Sequence, residues 1–137
     1  MKTFLFRISL LFGVFTSITF PAEAVIINNI NYTLNSTNMS ASIAPYQSET
    51  LSGIIDIPAS VTFANMTFNV NSISAQAFNG CPLITEFRVS SNSNFSTQNG
   101  ILYNWSKTEL IAYPRAAAAN SVVIPSSVTS ILPLAFN

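Results

Sequence analysis

The sequence contains no histidine, one cysteine and very few charged side chains. Only 7% of its 137 residues are charged, and five basic residues balance five acidic ones. This balance excludes the basic surface that nucleic-acid binding requires, so we expect no nucleic-acid partner. With no histidine and one cysteine, the chain cannot assemble a Cys/His zinc site or a Ser-His-Asp triad. We therefore expect no metal, no cofactor and no enzymatic activity.

What the chain does contain is apolar and neutral polar side chains. Hydrophobic residues make up 49% of the sequence, and asparagine, serine and threonine together account for 46 residues. The high apolar fraction argues against disorder. Hydrogen-bonding side chains of this kind are typical of chains with many short strands and tight turns.

The N-terminal segment has the three-part layout of a secretory signal peptide. Lys2 and Arg7 precede an apolar run at residues 8–20, and a small-x-small pattern ends at Ala24. The alternative is a membrane anchor, but the run is shorter than the roughly 20 residues that span a bilayer. We predict cleavage after Ala24, a mature chain that does not span the membrane, and a secreted, extracellular or cell-surface location.

Apolar and polar residues alternate along much of the remaining chain. A period of two predicts β-strands, and β-branched and aromatic residues occupy the apolar positions. The segments with this pattern or with short apolar runs are 30–34, 39–43, 66–70, 101–103 and 110–113.

Asparagine-containing dipeptides separate these segments. Asparagine tolerates positive φ, so residues 28–29, 64–65 and 99–100 are predicted turns. The helical signal is weak. Residues 74–78 predict one helical turn that begins at Ser74, whereas 116–119 predict a loop or a single turn.

The chain also contains an internal repeat. The sequence IPASVT at 57–62 recurs as IPSSVT at 124–129. The pair SI followed by AFN also recurs, but its two copies are nine residues closer together than IPASVT and IPSSVT are. The first copy therefore carries a nine-residue insertion at 63–71, which reads as a hairpin. Ordered repeats of this kind imply a solenoid.

Three short apolar runs can be stacked as adjacent strands. These are 55–57, 87–89 and 122–124. Because alternate residues of a strand face opposite ways, the stacking predicts an inner and an outer set of side chains. The inner set is Ile55, Ile57, Phe87, Val89, Val122 and Ile124. The outer set is Asp56, Arg88 and Val123, with Asp56 and Arg88 as neighbours of opposite charge.

Taken together, these motifs resemble bacterial surface-antigen leucine-rich repeats of the BspA type. The residues that carry the resemblance are IPASV at 57–61, AFNGCPLI at 77–84 and the longer segment at 92–114, NSNFSTQNGILYNWSKTELIAYP. The resemblance implies a leucine-rich-repeat solenoid, β-rich with short one-turn helices, with an N-terminal β-hairpin and an inter-repeat β-hairpin. Its predicted parts are 25–52 (N-terminal hairpin region), 53–90 (first repeat), 91–119 (inter-repeat hairpin) and 120–137 (partial second repeat).

The resemblance also assigns structural positions within the two repeats. In the first repeat these are Ile57, Pro58, Val61, Ile73, Ala77, Phe78, Gly80 and Cys81. In the second they are Ile124, Pro125, Val128, Ile131, Ala135 and Phe136. We expect the single cysteine to be a small buried spacer, since cysteine is often buried. The alternative is an intermolecular bridge or a reactive thiol, but no neighbouring group would lower the pKa of this thiol.

The resemblance implies a secreted or cell-surface module for protein binding and adhesion. Its partner would be an extracellular protein or cell-surface ligand. The expected contact residues are Asp56, Glu86, Arg88, Trp105, Ser121 and Val123. For Trp105 the alternative is packing against the neighbouring repeat.

Two other functions stay open at this stage. One is an extracellular β-solenoid carbohydrate-active enzyme that uses Asp56 and Glu86, and the other is a structural spacer of a larger surface protein.

The sequence stops at Asn137 in mid-repeat. We therefore expect either a fragment of a longer reading frame or further repeats, of the same or another chain, covering this end.

Overall fold

The computed structural model describes residues 24–118 and 121–136, which form β-strands joined by turns, bends and irregular segments. No helix occurs in these residues. The strands found there are β1 (Ala24–Ile27), β2 (Ile30–Asn35), β3 (Ser40–Ile43), β4 (Ser52–Pro58), β5 (Ser60–Phe63), β6 (Met66–Ile73), β7 (Leu83–Ser90), β8 (Phe95–Gln98), β9 (Ile101–Asn104), β10 (Glu109–Ala112) and β11 (Ser130–Ile131).

The strands form three sheets. The five-stranded sheet has the order β1-β2-β3-β6-β5, in which only the β3–β6 pair is parallel. The four-stranded sheet has the order β11-β10-β9-β8, and β4 and β7 form a separate parallel pair. The predicted solenoid with one-turn helices is therefore wrong, since the described chain is all-β.

The segment expected to form a helical turn forms hydrogen-bonded turns instead. The Ala77 amide donates to the Ser74 carbonyl at 2.9 Å, and the Cys81 amide donates to the Phe78 carbonyl at 3.2 Å. Both bonds join residues three apart. A run this short gains too little from helix propagation to offset nucleation. Gly80, with a φ of 78°, then returns the chain towards β7.

The predicted hairpin turns are confirmed. Backbone φ values are 49° and 66° at residues 28–29, 48° and 62° at 64–65, and 53° and 76° at 99–100. Positive φ at both central residues is what a two-residue hairpin needs to match the twist of its strands. The insertion in the first repeat is accordingly the β5–β6 hairpin.

Alternating side chains of the predicted strands build the main core. Ile30, Tyr32 and Leu34 of β2 are buried together with Phe68 and Val70 of β6. β9 is buried on both faces: Leu102 belongs to the main core, whereas its neighbours belong to a second cluster. That second cluster consists of Ile101, Tyr103, Leu110 and Ala135. The four-stranded sheet is thus a layer between two apolar clusters.

The second repeat packs differently from the first. Residues 121–125 form no strand, so the predicted stacking of 122–124 on β7 is wrong. Val122 is half-buried against the second cluster, but Ile124 is 38% exposed and Val123 is 78% exposed. The backbone explains the difference: the Leu132 amide donates to the Leu110 carbonyl at 2.9 Å, so the repeat joins the sheet through β11 and β10.

The repeat positions assigned from the sequence differ in burial. Those that are buried are Ile57, Val61, Ala77, Phe78, Cys81 and Ala135. Those that are half-buried are Pro58, Ile73, Gly80, Pro125 and Val128, and those that are exposed are Ile124, Ile131 and Phe136. The first repeat is thus the better packed of the two.

The predicted signal peptide lies outside the described residues, apart from Ala24. No helix in the described part of the chain is long and apolar enough to cross a membrane.

Candidate recognition surface

The parallel pair β4–β7 carries the charged residues predicted as contacts. Its register places Ile55 opposite Phe87, Asp56 opposite Arg88, and Ile57 opposite Val89. This is the predicted stacking of the first two runs, and it is confirmed. Ile55, Ile57 and Phe87 are buried, while Asp56 and Arg88 are exposed on the other side of the pair, which we call the outer face. The alternation required by strand geometry thus separates an apolar from a polar surface.

Arg88 makes its ion pair along its own strand. Its Nε donates to Oε1 of Glu86 at 3.0 Å, and its Nη2 donates to Oε2 at 3.4 Å. The expected partner, Asp56, instead accepts a hydrogen bond from the Ser90 hydroxyl at 2.7 Å. Glu86 can engage two guanidinium nitrogens at once, and such forked pairs are the stronger arrangement. The hydrogen bond and charge of Glu86 raise the pKa of Arg88.

The outer face also carries two large apolar side chains. Ile54 is 47% exposed and Leu83 is 51% exposed. Neither was among the contact residues predicted from the sequence, although the period of two in β4 already puts Ile54 on the same side as Asp56. The face therefore has an apolar end beside a polar end.

The edge of β7 that does not face β4 is held by two loops. The Phe87 amide donates to the Gly100 carbonyl at 2.9 Å, and the Ala116 amide donates to the Ile84 carbonyl at 2.8 Å. These contacts partly cover a strand edge that would otherwise offer unpaired backbone groups. They also fix β7, and with it the outer face, against the rest of the fold.

The remaining predicted contact residues lie elsewhere. Trp105 lies in the turn between β9 and β10 and is 64% exposed. Ser121 and Val123 are exposed in the segment 121–125, which does not pair with β7. The structure thus brings three of the six residues together on one sheet: Asp56, Glu86 and Arg88.

Two polar side chains that were not predicted as functional or core residues are buried. Gln47 and Asn92 are each 4% exposed. The side-chain carboxamide of Gln47 bonds to the backbone of Asn31 as a neighbouring strand would. Its Oε1 accepts from the Asn31 backbone amide at 2.7 Å, and its Nε2 donates to the Asn31 carbonyl at 3.1 Å. Asn92 anchors the loop between β7 and β8. No local sequence pattern marks either residue as buried, because Gln47 bonds to Asn31 and Asn92 bonds to Pro58 and Val70, all of which are 16 or more residues away.

Among residues 24–118 and 121–136, no group of three or more His, Cys, Asp or Glu side chains could hold a metal ion. Cys81 is 2% exposed, which confirms its predicted burial, and its thiol lies 3.5 Å from the Ser48 carbonyl. Burial, together with the charge of Glu49, raises the pKa of this thiol.

Comparison with known proteins identifies two similar structures. A leucine-rich repeat protein from Eubacterium ventriosum is 30% identical, with a TM-score of 0.51, over 61% of this chain. The chain spans 20% of the length of that protein. The pneumococcal vaccine antigen PcpA is 11% identical with a TM-score of 0.34, over 85% of this chain and 62% of that one. No protein-family profile and no curated protein matches. The first likeness supports a relationship to bacterial leucine-rich-repeat proteins.

Proposed function

We propose that this chain is a secreted or cell-surface module that binds extracellular proteins through the outer face of β4–β7. The observation that carries the proposal is the composition of that face. Exposed Ile54 and Leu83 lie beside the Glu86–Arg88 ion pair. Apolar anchors bordered by oriented polar groups, arginine among them, are the usual make-up of protein interfaces.

The low charge of the chain fits short-range recognition. The described residues contain few charged side chains, and two of them neutralise each other on the outer face. Such a surface attracts partners weakly at long range, so its specificity would come from shape and directed hydrogen bonds. The same proposal includes membership of the BspA-type surface proteins and a role in adhesion, which the motifs at 57–61, 77–84 and 92–114 support.

The proposal assigns no catalytic step. Asp56 and Glu86 are the carboxylates that a carbohydrate-cleaving enzyme would use, but each already accepts a hydrogen bond from a side chain on the same exposed face. A polysaccharide-cleaving activity that the double variant D56N/E86Q abolishes would contradict this part of the proposal.

A second partner is proposed for the C-terminal segment. Ile131, Leu134 and Phe136 are 47%, 40% and 46% exposed. Further repeats, of the same or another chain, would bury these side chains. Sedimentation velocity tests the self-associating case: the chain should dimerise with increasing concentration, and I131D should not. A chain that stays monomeric at every concentration contradicts self-association.

The experiment on the outer face uses the purified chain and a panel of extracellular-matrix and cell-surface proteins, measured by biolayer interferometry. We expect saturable binding to at least one of them. I54D and R88E should each weaken that binding by about tenfold or more, because central apolar anchors and arginines dominate interface energies.

Matched controls are available within the chain. I26D places the same charge at another exposed isoleucine, which is 70% exposed in β1. K107E makes the same charge reversal in the β9–β10 turn. Both should leave binding unchanged. If the controls weaken binding as much as the outer-face variants, the face is not the binding site; if no panel protein binds, a structural spacer is the better description.

A further inference from the structure

An open groove lies between the loop that follows β7 and the turn that carries Trp105. Its volume is about 460 Å³, and its lining includes Ser91, Ser93, Phe95, Thr97 and Trp105. This volume is within the range of about 300–1,000 Å³ that is typical of ligand sites. No lining side chain is charged. Neither Glu86 nor Arg88 lines the groove, so we treat it as distinct from the proposed protein-binding face.

The aromatic side chain at the groove is available for contact. Trp105 is 64% exposed. Within the described residues, its indole makes no ring contact and its N–H has no hydrogen-bond partner. Tryptophan normally uses both its apolar face and its N–H. In Trp105 the apolar face and the N–H are therefore both available to a molecule bound in the groove.

Hydroxyl groups supply the polar part of the lining. The side chains of Ser91, Ser93 and Thr97 have no partner among the described residues. Ser96, by contrast, donates to the Asn104 carbonyl at 2.8 Å and so belongs to the framework. The groove therefore combines an unoccupied aromatic face with unoccupied hydroxyls.

The framework holds both walls of the groove in place. The Trp105 amide donates to the Asn94 carbonyl at 2.9 Å. The Asn104 carboxamide ties the base of the turn, because its Oδ1 accepts from the Thr108 amide at 2.9 Å and from the Glu109 amide at 3.1 Å. A site whose walls are already ordered loses little conformational entropy on binding.

We propose that this groove binds a neutral carbohydrate. The ring of a sugar has an apolar face that can stack on the Trp105 indole, and its hydroxyls can exchange hydrogen bonds with Ser91, Ser93 and Thr97. The absence of charge from the lining disfavours phosphorylated, sulfated or uronic-acid ligands, whose charge would be left without a partner. An open groove, rather than a closed pocket, suits a segment of a longer glycan.

Tryptophan fluorescence of the purified chain tests the proposal, because Trp105 is the only tryptophan in the sequence. The probes are four neutral hexasaccharides: cellohexaose, laminarihexaose, mannohexaose and hexa-N-acetylchitohexaose. We expect a saturable change in emission with at least one of them. Calorimetry should then give an affinity reduced by about tenfold or more in W105A, with W105F between W105A and the wild type.

Three further variants make the result specific. T97V removes a hydroxyl at nearly constant volume and should weaken sugar binding. Y46A, at an aromatic residue that is 62% exposed elsewhere, should not. R88E should leave sugar binding unchanged, which separates this proposal from the protein-binding face. Circular dichroism of each variant verifies that it is folded.

Two outcomes would overturn the proposal. One is the absence of a saturable signal with all four hexasaccharides. The other is an affinity that W105A leaves unchanged. If W105A instead weakens binding to a panel protein and no sugar binds, the groove belongs to a protein interface.

Discussion

Gly100 lies against Glu86 so closely that a side chain at position 100 has no room. A Cβ on Gly100 would be 2.9 Å from Cγ of Glu86 and 3.6 Å from its Cα. The Gly100 carbonyl also accepts the Phe87 amide at 2.9 Å. The β8–β9 turn therefore supports the strand that presents the Glu86–Arg88 pair.

We expect G100A to destabilise the fold by about 2–3 kcal/mol, because it adds this contact to the strain of a positive φ. Urea unfolding measures the effect. G80A is the matched control: Gly80 has a φ of 78°, but a Cβ there meets nothing within 4 Å. We expect it to cost about 1 kcal/mol. Adding E86A to G100A removes the crowded Cγ and should recover part of the difference in stability between G100A and G80A. If G100A and G80A instead cost the same, the contact with Glu86 does not destabilise G100A.

Asn92 should be among the more sensitive polar positions. Its Nδ2 donates to the Pro58 carbonyl at 2.9 Å and to the Val70 carbonyl at 2.8 Å, and its Oδ1 accepts from the Asn94 amide at 2.8 Å. N92A removes all three bonds and should lower the free energy of unfolding by about 2–4 kcal/mol. S93A, next to it and exposed, should change that free energy by less than about 0.5 kcal/mol. Similar values for the two variants would show that the loop does not depend on Asn92.

Tyr32 should make the fold sensitive to alkaline pH. Burial, with a smaller effect of the Asp56 charge, raises its pKa from 10.0 to about 12. Below pH 10 the tyrosine is protonated in both the folded and the unfolded chain, so the full contribution of Tyr32 to the free energy of unfolding is present. Between pH 10 and 12 the unfolded chain releases a proton that the folded chain keeps. The free energy of unfolding should therefore fall with rising pH, by about 3 kcal/mol when the transition is complete.

Unfolding measured across this pH range should show a shallower slope in Y32F. Y46F, at a tyrosine that is 62% exposed, is the matched control for the loss of a tyrosine hydroxyl. A residual slope is expected in Y32F, because burial also raises the pKa of Tyr103. If the Y32F slope equals that of the wild type, the alkaline sensitivity arises from other groups.

The Cys81 thiol should react slowly in the folded chain. It is buried, and its raised pKa reduces the thiolate fraction at neutral pH. With a thiol-specific chromogenic reagent, we expect Cys81 of the folded chain to be labelled about a hundredfold or more slowly than Cys81 of the chain unfolded in urea. T85C in a C81A background places a thiol on the outer face and should react quickly. Fast labelling of native Cys81 would favour the alternative that it is a reactive thiol or forms an intermolecular bridge.

Part of the recognition surface could be read from the sequence. Stacking 55–57 on 87–89 depends only on the alternation of apolar and charged residues, because a shift by one residue would bury Asp56 and Arg88. The partner chosen by Arg88 could not be read in this way. Asp56 is its neighbour in register, but Glu86 offers two oxygens in reach of the guanidinium, and only side-chain geometry distinguishes the two.

The second repeat marks the limit of reasoning from motifs. Its sequence repeats that of the first, yet Ile57 is buried and Ile124 is 38% exposed. A motif records which residues recur but not which strand edge the backbone joins. Here the chain pairs with β10 through residues 130–131, so the apolar run at 122–124 has no strand beside it in the described residues.

By itself the sequence determined the local structure: strands with a period of two, and turns at 28–29, 64–65 and 99–100 where asparagine and its neighbours accept positive φ. These features follow from the conformational preferences of a few consecutive residues. The tertiary structure alone decided the sheet order, the all-β architecture, the Gly100–Glu86 contact and the groove at Trp105. Each of these depends on which strands and turns come to lie side by side, and that is decided by pairing between segments that are not consecutive in the chain.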